Sequence, residues 1–228
     1  MVTTSPEFAT VSASFRSQVR STGSADIHCS VNSKMKRCVD ILGAMVGLLL
    51  TALVVVPVAI AIQLDSPGPI FYSQTRCGHR GRQFKIWKFR SMVTDAEALK
   101  SQVVNQASGH VFKNDNDPRI TRVGRFLRRT SLDELPQFWN VLQGDMSLVG
   151  TRPPTVDEVK QYSHHHWKRL EVKPGITGEW QVNGRSQVID FEAIVQLDLR
   201  YLRRWSVRYD LHLIGKTIWV VLSKQGAC

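Results

Sequence analysis

Ile41-Leu42-Gly43-Ala44-Met45-Val46-Gly47-Leu48-Leu49-Leu50-Thr51-Ala52-Leu53-Val54-Val55-Val56-Pro57-Val58-Ala59-Ile60-Ala61-Ile62-Gln63-Leu64 is bounded by Asp40 and Asp65 and holds no ionisable side chain over 24 residues. A bilayer-spanning helix needs about 20 predominantly apolar residues, so the run is long enough to enter a membrane. A core helix of a water-soluble domain rarely goes this far without a polar face. Its two flanks are both basic: Lys34, Lys36 and Arg37 come before it, and Arg76, His79, Arg80, Arg82, Lys85, Lys88 and Arg90 follow. Basic flanks mark the cytoplasmic side, and a straight span would put one of them outside. Pro57 offers a solution, because an interior proline removes one helix hydrogen bond and kinks the axis. The expectation is a re-entrant helix, broken near Val56-Pro57, that enters and leaves by the same face.

Outward from this run the chain divides into three. Residues 1–33 are rich in Ser and Thr with no sustained apolar periodicity, and are expected to be a disordered tail. Residues 34–66 make the membrane helix, and 67–228 a second, membrane-associated domain. No cleaved secretory signal is expected, because the apolar run starts too far in and is too long. The formal net charge of +11 calls for an anionic partner: nucleic acid, an acidic lipid surface or a phosphorylated substrate. Nucleic acid is set aside, since the aromatic-basic interleaving of its binding motifs is missing. Cys29, Cys38, Cys77 and Cys228 are scattered, without zinc-type spacing, and read as reduced thiols.

Ser66-Pro67-Gly68-Pro69 is turn material. Ile70 to Gln74 and Phe84 to Arg90, separated by Cys77-Gly78-His79-Arg80-Gly81, predict a short β-hairpin in which Lys88 and Arg90 share one face. Thr94-Asp95-Ala96-Glu97-Ala98-Leu99-Lys100 starts like a capped helix. Asp117 to Arg128 sets a basic stripe beside an apolar one, as in a segment lying on anionic headgroups.

Next comes the chemistry: Arg128-Arg129-Thr130-Ser131-Leu132-Asp133-Glu134-Leu135-Pro136-Gln137. Ser131 and Glu134 fit a capping box, which accounts for Glu134 and partly for Asp133. It does not account for the arginines around the pair: Arg122, Arg125, Arg128 and Arg129 upstream, Arg152 downstream. Two carboxylates able to hold a divalent cation amid guanidiniums suit a pyrophosphate. The helix from Ser131 carries Leu135, Phe138, Trp139 and Leu142 as an apolar face and should end at Gln143-Gly144. Arg152, between Gly150 and Pro153-Pro154, is a rigid donor suited to a bidentate phosphate contact.

These motifs, in this order, resemble those of the bacterial sugar transferases, the monotopic polyprenyl-phosphate glycosyl-1-phosphate transferases: Lys36-Arg37 with Asp40-Ile41, Phe84 to Met92, Ser131 to Gln137, Asn140-Val141-Leu142 with Gly144 to Gly150, and Lys173-Pro174-Gly175-Ile176-Thr177-Gly178. The resemblance runs from about Lys34 to the C-terminus. It implies an α+β, mostly helical fold: a re-entrant membrane helix hairpin plus a small cytoplasmic catalytic domain with a short β-hairpin and interfacial amphipathic helices, on the bacterial inner membrane. It implies transfer of a sugar 1-phosphate, expected to be a hexose 1-phosphate, from a UDP-sugar to polyprenyl phosphate with release of UMP. Asp133 would be the nucleophile that forms a phosphosugar intermediate, Glu134 with Asp133 would hold Mg²⁺, and Arg128 would bind phosphate. Arg152 matches the arginine of the family's Pro-Arg-Pro motif, although Thr151 replaces the first proline. Lys88 and Arg90 on the hairpin, and Gln181, Arg185 and Asp198 in the late part of the chain, complete the expected phosphate and nucleotide contacts. The resemblance does not include the extra N-terminal spans of larger members, so the small, catalytic-domain-only type is expected. Anionic lipids and a second copy of the chain are further expected partners.

Physical reasoning agrees with those roles. A carboxylate beside Arg128 stays ionised, as a nucleophile must. Resemblance to the family members that carry the late motif Trp180-Gln181-Val182-Asn183-Gly184-Arg185 tilts the sugar toward glucose or galactose, for a capsule, exopolysaccharide or O-antigen. His164-His165-His166 cannot all face one metal from a helix and reads as a solvated or membrane-proximal cluster. Phe191 to Tyr209 reads as one helix, with Asp198 either in the site or in a salt bridge to arginines near Arg200. Leu211 to Leu222 reads as an interfacial helix. Two alternatives fit the charge pattern: a non-catalytic basic membrane-surface module, which leaves Asp133-Glu134 unexplained, and a Mg²⁺-dependent nucleotide-sugar pyrophosphate hydrolase with water as acceptor.

Overall fold

The computed structural model describes residues 27–106, 112, 114, 116–184 and 190–223. Most of the expected N-terminal tail lies outside them. Its last residues are folded: α1 (Cys29–Asn32) follows His28, whose ring bonds the Leu202 carbonyl at 3.0 Å.

The chain then enters α2 (Lys34–Asp65), capped by Ser33, whose hydroxyl accepts from the Lys36 N–H. Here the structure departs from the sequence reading in one respect: α2 runs through Pro57 as one helix, without the break expected near Val56-Pro57. Asp40, Ala44, Gly47, Val58 and Ile62 are buried, with Thr51, Val54 and Val55 half-buried between them. This is a stripe at helical spacing that faces the rest of the protein from one end of α2 to the other. The opposite face presents Leu42, Val46, Leu49, Leu53, Val56 and Ile60, all more than half exposed.

The body beneath the stripe holds nine helices in all with α1 and α2, among the described residues, and four short strands. β1 (Phe71–Cys77) and β2 (Gln83–Phe89) form the expected antiparallel hairpin, Tyr72 opposite Lys88. Thr94 does not open an α-helix: only a 3₁₀ turn, Ala98–Gln102, forms, with no side-chain cap at Glu97. α3 (Arg122–Arg129), capped by the Thr121 hydroxyl, leads to a 3₁₀ turn at Leu132–Glu134 and then α4 (Gln137–Gln143). β3 (Ser147–Val149) pairs in parallel with β4 (Gly175–Thr177), and α5 (Val156–Lys160) and α6 (His164–Trp167) lie between them in the chain. α7 (Glu179–Gly184), α8 (Phe191–Arg204) and α9 (Val207–Ser223) complete the body. The single helix expected over Phe191 to Tyr209 is therefore two, broken at Trp205-Ser206.

α4 also differs from expectation. It ends at Gly144, whose positive φ of 90° makes the predicted left-handed cap. Its buried residues, however, are Gln137, Asn140 and Val141, while Trp139 is 47% exposed. Asn140 explains the inversion. Its side-chain amide donates to the Lys85 carbonyl and accepts from the Trp87 N–H, so a polar residue ties α4 to β2. Phe138 instead lies against α2, where a Cβ on Gly47 would come within 2.2 Å of its ring. Only a residue without a side chain lets the two helices approach this closely.

The N-terminal end of α2 is held by ions. Lys36 donates to Asp210 at 2.6 Å, to the Val149 carbonyl at 2.9 Å and to the Tyr201 hydroxyl at 3.3 Å, and Asp210 also accepts from Tyr201 and Trp205. Both charged side chains are almost fully buried. Four residues on, Asp40 accepts from the Ser147 hydroxyl and the Leu148 N–H. Removing one member of such a pair strands the other. Lys36→Met is expected to lower stability by roughly 3–5 kcal/mol, read as a fall in the thermal unfolding midpoint of the detergent-solubilised chain.

Candidate active site

Asp133 sits in the 3₁₀ turn that follows α3, and its position is set by packing on both sides. Leu127 of α3 is buried with Val58 and Ile62 of α2 and Phe89 of β2, and Leu132 and Leu135, flanking the acidic pair, pack against the same cluster. The Thr51 hydroxyl donates to the Gly47 carbonyl at 2.7 Å and to the Leu135 carbonyl at 3.3 Å. The acidic turn is thus fastened directly to the apolar helix.

Ser131 enters this turn in the left-handed region, φ 56° and ψ 16°, and forms no side-chain cap. The expected capping box is therefore absent, because a left-handed residue cannot present its hydroxyl to the following turn as an extended N-cap does. A non-glycine residue in this conformation carries about 1–2 kcal/mol of strain, and such strain tends to persist where surrounding structure enforces it near a functional group.

Asp133 is 4% exposed. Burial pulls the Arg128 guanidinium down from its ordinary value, and the carboxylates of Asp133, Asp117 and Glu134 pull it back, so all three act on this one cation. An arginine so placed remains charged. Its Nε donates to the Ser91 hydroxyl at 2.9 Å, which aims the guanidinium. Gly124 makes the approach of α3 to Ser91 feasible, since a Cβ there would lie 1.9 Å from the Ser91 carbonyl oxygen. Lys88 pairs with Glu134 at 3.0 Å, so β2 and the acidic turn meet through opposite charges.

Asp133, Glu134, Arg128 and Lys88 are therefore brought together. The other expected residues lie elsewhere. The Arg90 guanidinium, 5% exposed, is bonded to the Ser66 and Pro67 carbonyls and clamps the exit of α2. Arg152 forms a forked pair with Glu158, at 2.9 and 3.2 Å, and lies 6.0 Å from the Trp180 ring centre. Asp198 is fully buried and bonded to Arg169 at 2.6 Å, rather than to arginines near Arg200, and Arg200 itself reaches Glu179. Burial works against the Arg169 charge, yet Tyr162 and Asp198 hold the guanidinium above its ordinary value. The Gln181 side-chain oxygen is buried without a hydrogen-bond partner among the described residues. Arg185 lies outside the described residues. His165 and His166 both reach the exposed Glu192 at 3.2 Å, a surface cluster on α6 and α8.

Several residues beside the site were not picked out from the sequence. Asp117 and Arg119 form a buried pair at 2.7 Å that acts on Arg128, and Tyr72 of β1 feels Arg76, Arg119 and Arg128. Arg76 stands beside Arg152: burial, then repulsion from Arg152, lowers it to about 10. The alternation of a hairpin strand across its partner could have put Tyr72 with Lys88; Arg76 and Arg152 meet through a long-range contact, the bridge between Arg76 and Thr155, that no local pattern announces.

A Mg²⁺ ion needs hard oxygen donors, and is commonly held by one or two protein carboxylates with the remainder from substrate phosphates and water. Among the described residues no group of three or more His, Cys, Asp or Glu could hold a metal. Adjacent Asp133 and Glu134 fit the smaller donor set, provided a phosphorylated substrate supplies the rest.

Burial alone would raise the Glu158 carboxyl, but Arg152, its hydrogen bonds, Arg76 and the Thr155 N–H together hold it below its ordinary value. A depressed folded-state pKa stabilises the fold above the unfolded value, about 4.3, and that contribution is lost as pH falls through the folded value. Glu158→Gln should therefore lower the unfolding midpoint clearly at pH 7, with the gap from wild type closing in titrations taken below about pH 4.

Comparison with known proteins bears on this arrangement. The chain is 51% identical over 194 residues to a protein named galactosyl transferase CpsE from Streptococcus agalactiae serotype III (strain NEM316), a match covering 84% of this chain and 43% of that one. It is 46% identical over 196 residues to the UDP-glucose:undecaprenyl-phosphate glucose-1-phosphate transferase of Escherichia coli (strain K12), covering 83% and 40%. The chain thus spans about two fifths of the length of these relatives. It is also 36% identical over 203 residues to the exopolysaccharide production protein ExoY of Rhizobium meliloti (strain 1021), with 86% and 89% covered. The family described as bacterial sugar transferase matches residues 31–224, and the chain belongs to that family.

Proposed function

We propose that this chain transfers a sugar 1-phosphate from a UDP-sugar to polyprenyl phosphate, through a covalent intermediate on Asp133. The observation that carries this reading is that a buried carboxylate beside Arg128 is fastened, through Leu132, Leu135 and Thr51, to a long helix whose outer face is apolar. A lipid-borne phosphate and a water-borne nucleotide sugar can meet only at such a boundary. The names of the relatives, galactosyl transferase and UDP-glucose:undecaprenyl-phosphate glucose-1-phosphate transferase, support this substrate pair and a hexose as the sugar.

In the first step an Asp133 carboxylate oxygen attacks the sugar-bearing phosphorus. A P–O bond forms to Asp133, and the bond from that phosphorus to the bridging oxygen breaks, with UMP leaving on its electron pair. In the second step a phosphate oxygen of the polyprenyl phosphate attacks the same phosphorus and the Asp133 carboxylate departs, which gives the polyprenyl-diphosphate sugar. Arg128, aimed by Ser91, neutralises phosphate charge in both steps. Lys88 holds Glu134 in place. Mg²⁺, bound by Asp133 and Glu134, would supply charge neutralisation on the pyrophosphate oxygens. Arg152, with Arg76 beside it, Gln181 and Arg185 are assigned to the nucleotide sugar, and Asp198 acts there through Arg169.

The inward stripe supports insertion from one face. α2 packs on the body from Lys36 to Ile62, roughly 39 Å at 1.5 Å per residue. A body carrying charged surface cannot follow a spanning helix through hydrocarbon, so both ends of α2 stay on the body's side, which we assign to the cytoplasmic face of the inner membrane. Exposed Phe126 and Trp139, and Ile218 and Trp219 of α9, suit the headgroup boundary, where anionic lipid meets Arg122, Arg125 and Arg129.

Two tests follow. Membranes carrying the chain, given UDP-glucose or UDP-galactose with Mg²⁺ and polyprenyl phosphate, should release UMP and form a lipid-linked sugar. Asp133→Asn should reduce UMP release at least about 10³-fold, chelation should abolish it, and wild-type turnover by that variant would refute the covalent step. Cysteines introduced at Lys34 and at Ser66 should both react with an impermeant maleimide from the same side of sealed vesicles; labelling from opposite sides would refute one-face insertion.

A further inference from the structure

Lys36-Arg37 and Lys173-Pro174-Gly175 belong to the motifs that mark the family, yet neither reaches Asp133. Instead they meet each other. A cavity of about 230 Å³ opens at the N-terminal base of α2, lined by Ser30, Ser33, Lys36, Arg37, Asp40 and Lys173. Cations on this wall outnumber carboxylates three to one, and the Lys36–Asp210 pair behind it reduces the excess without removing it.

The three cations differ in how fully the protein uses them. Lys36 is saturated by Val149, Tyr201 and Asp210. Arg37 gives N–H groups to the Val141 and Leu142 carbonyls, both at 2.7 Å, at the C-terminal end of α4, which leaves the rest of its five-donor fork. Lys173 makes no hydrogen bond or ion pair among the described residues. The Arg37 and Lys173 head groups are each 3.6 Å from the point where a Cβ on Gly144 would stand, so they are at most twice that distance apart. Burial first, and then the Arg37 charge, lowers the Lys173 pKa, against the pull of Asp40 and Asp145. Two cations held close together beside a cavity, one of them without an ion pair among the described residues, are the donors that a phosphate-sized anion takes.

Its position sets the source of the anion. The cavity lies at the foot of the helix whose outer face is apolar from Leu42 onward, so the one-face insertion proposed above, on which this assignment rests, would bring it to the lipid headgroups. It is remote from the acidic turn: Thr51, which touches Leu135, is 14 positions beyond Arg37 in α2, about 21 Å along the helix.

We propose that the Ser33–Arg37–Lys173 cavity binds a phosphate group, that of a glycerophospholipid headgroup, as a second anion site separate from the Asp133 centre. Bound there, the headgroup ties α1, the first turn of α2 and the Lys173 loop to the membrane surface.

The test uses the full chain in maltoside micelles and does not read turnover, so its result is independent of the transferase reading. Acylation of Lys173 by an amine reagent is followed by peptide mass spectrometry, with exposed Lys100 as internal reference. Added phosphatidylglycerol should slow Lys173 modification several-fold relative to diacylglycerol of the same chain length, and raise the unfolding midpoint. Lys173→Gln should lose that rise and Lys173→Arg should keep it. Equal protection by inorganic phosphate alone would support the anion site and assign it to free phosphate. Lys173 acylation unchanged by either additive would overturn the proposal, as would a Lys173→Gln midpoint that responds as the wild type does.

Discussion

The contact between α2 and the acidic turn is the constraint from which the rest of the structure follows. Val58 and Ile62 on the helix meet Leu127 of α3 and Phe89 of β2, with Leu132 and Leu135 on either side of Asp133-Glu134 closing the cluster. Burying each such side chain contributes about 1.5–3 kcal/mol, enough to hold a short, strained turn in a single place. Because one face of α2 is committed to this packing, its other face must find an apolar environment elsewhere, and a bilayer surface supplies it. Stability and membrane attachment thus derive from the same helix, seen from opposite sides.

Two kinds of fastening divide the length of that helix. Near its start the contacts are ionic and hydrogen-bonded: Lys36 with Asp210, Asp40 with Ser147 and Leu148, Arg37 with the end of α4. Further along they are apolar and close, with Gly47 against Phe138 and then the Val58 and Ile62 cluster. The order is physically sensible. Ionic fastening needs buried partners to be worth its desolvation, and those partners lie in the polar interior next to β3 and α9. Deeper in the apolar run the helix has no charge to offer, and apart from the Thr51 hydroxyl on the Leu135 carbonyl only shape remains.

Away from the foot of α2, two groups of buried or half-buried charges touch through the hairpin. One contains Lys88, Arg128, Asp117, Arg119, Asp133 and Glu134; the other contains Arg76, Arg152, Glu158, Arg169 and Asp198. Tyr72 and Arg76, four residues apart on β1, connect them electrostatically. In the proposed reaction the first group handles the transferred phosphorus and the second the nucleotide, so the hairpin is the part that sets the distance between leaving group and nucleophile.

Much of this was legible in the amino-acid sequence by itself. An uncharged 24-residue run, alternation in Phe84 to Arg90, and a carboxylate pair among arginines are local patterns, and local physics of burial, pleating and charge reads them. They determined the apolar helix, the hairpin and the meeting of Arg128 with Asp133, while the mostly helical class came from the family resemblance. What only the tertiary structure decided depends on partners distant in the chain. Pro57 does not interrupt α2, because a lost helix bond is a small term beside a stripe packed along the whole helix. The capping box fails at Ser131, because packing of Leu132 and Leu135 against α2 outweighs a cap worth about 1 kcal/mol. Trp139 faces outward and Asn140 inward, because β2 offers Asn140 two unpaired backbone groups. Asp198 belongs to Arg169, 29 positions away, and no periodicity announces such a pair. Sequence patterns specify which residues must be buried or charged; the fold alone specifies against whom.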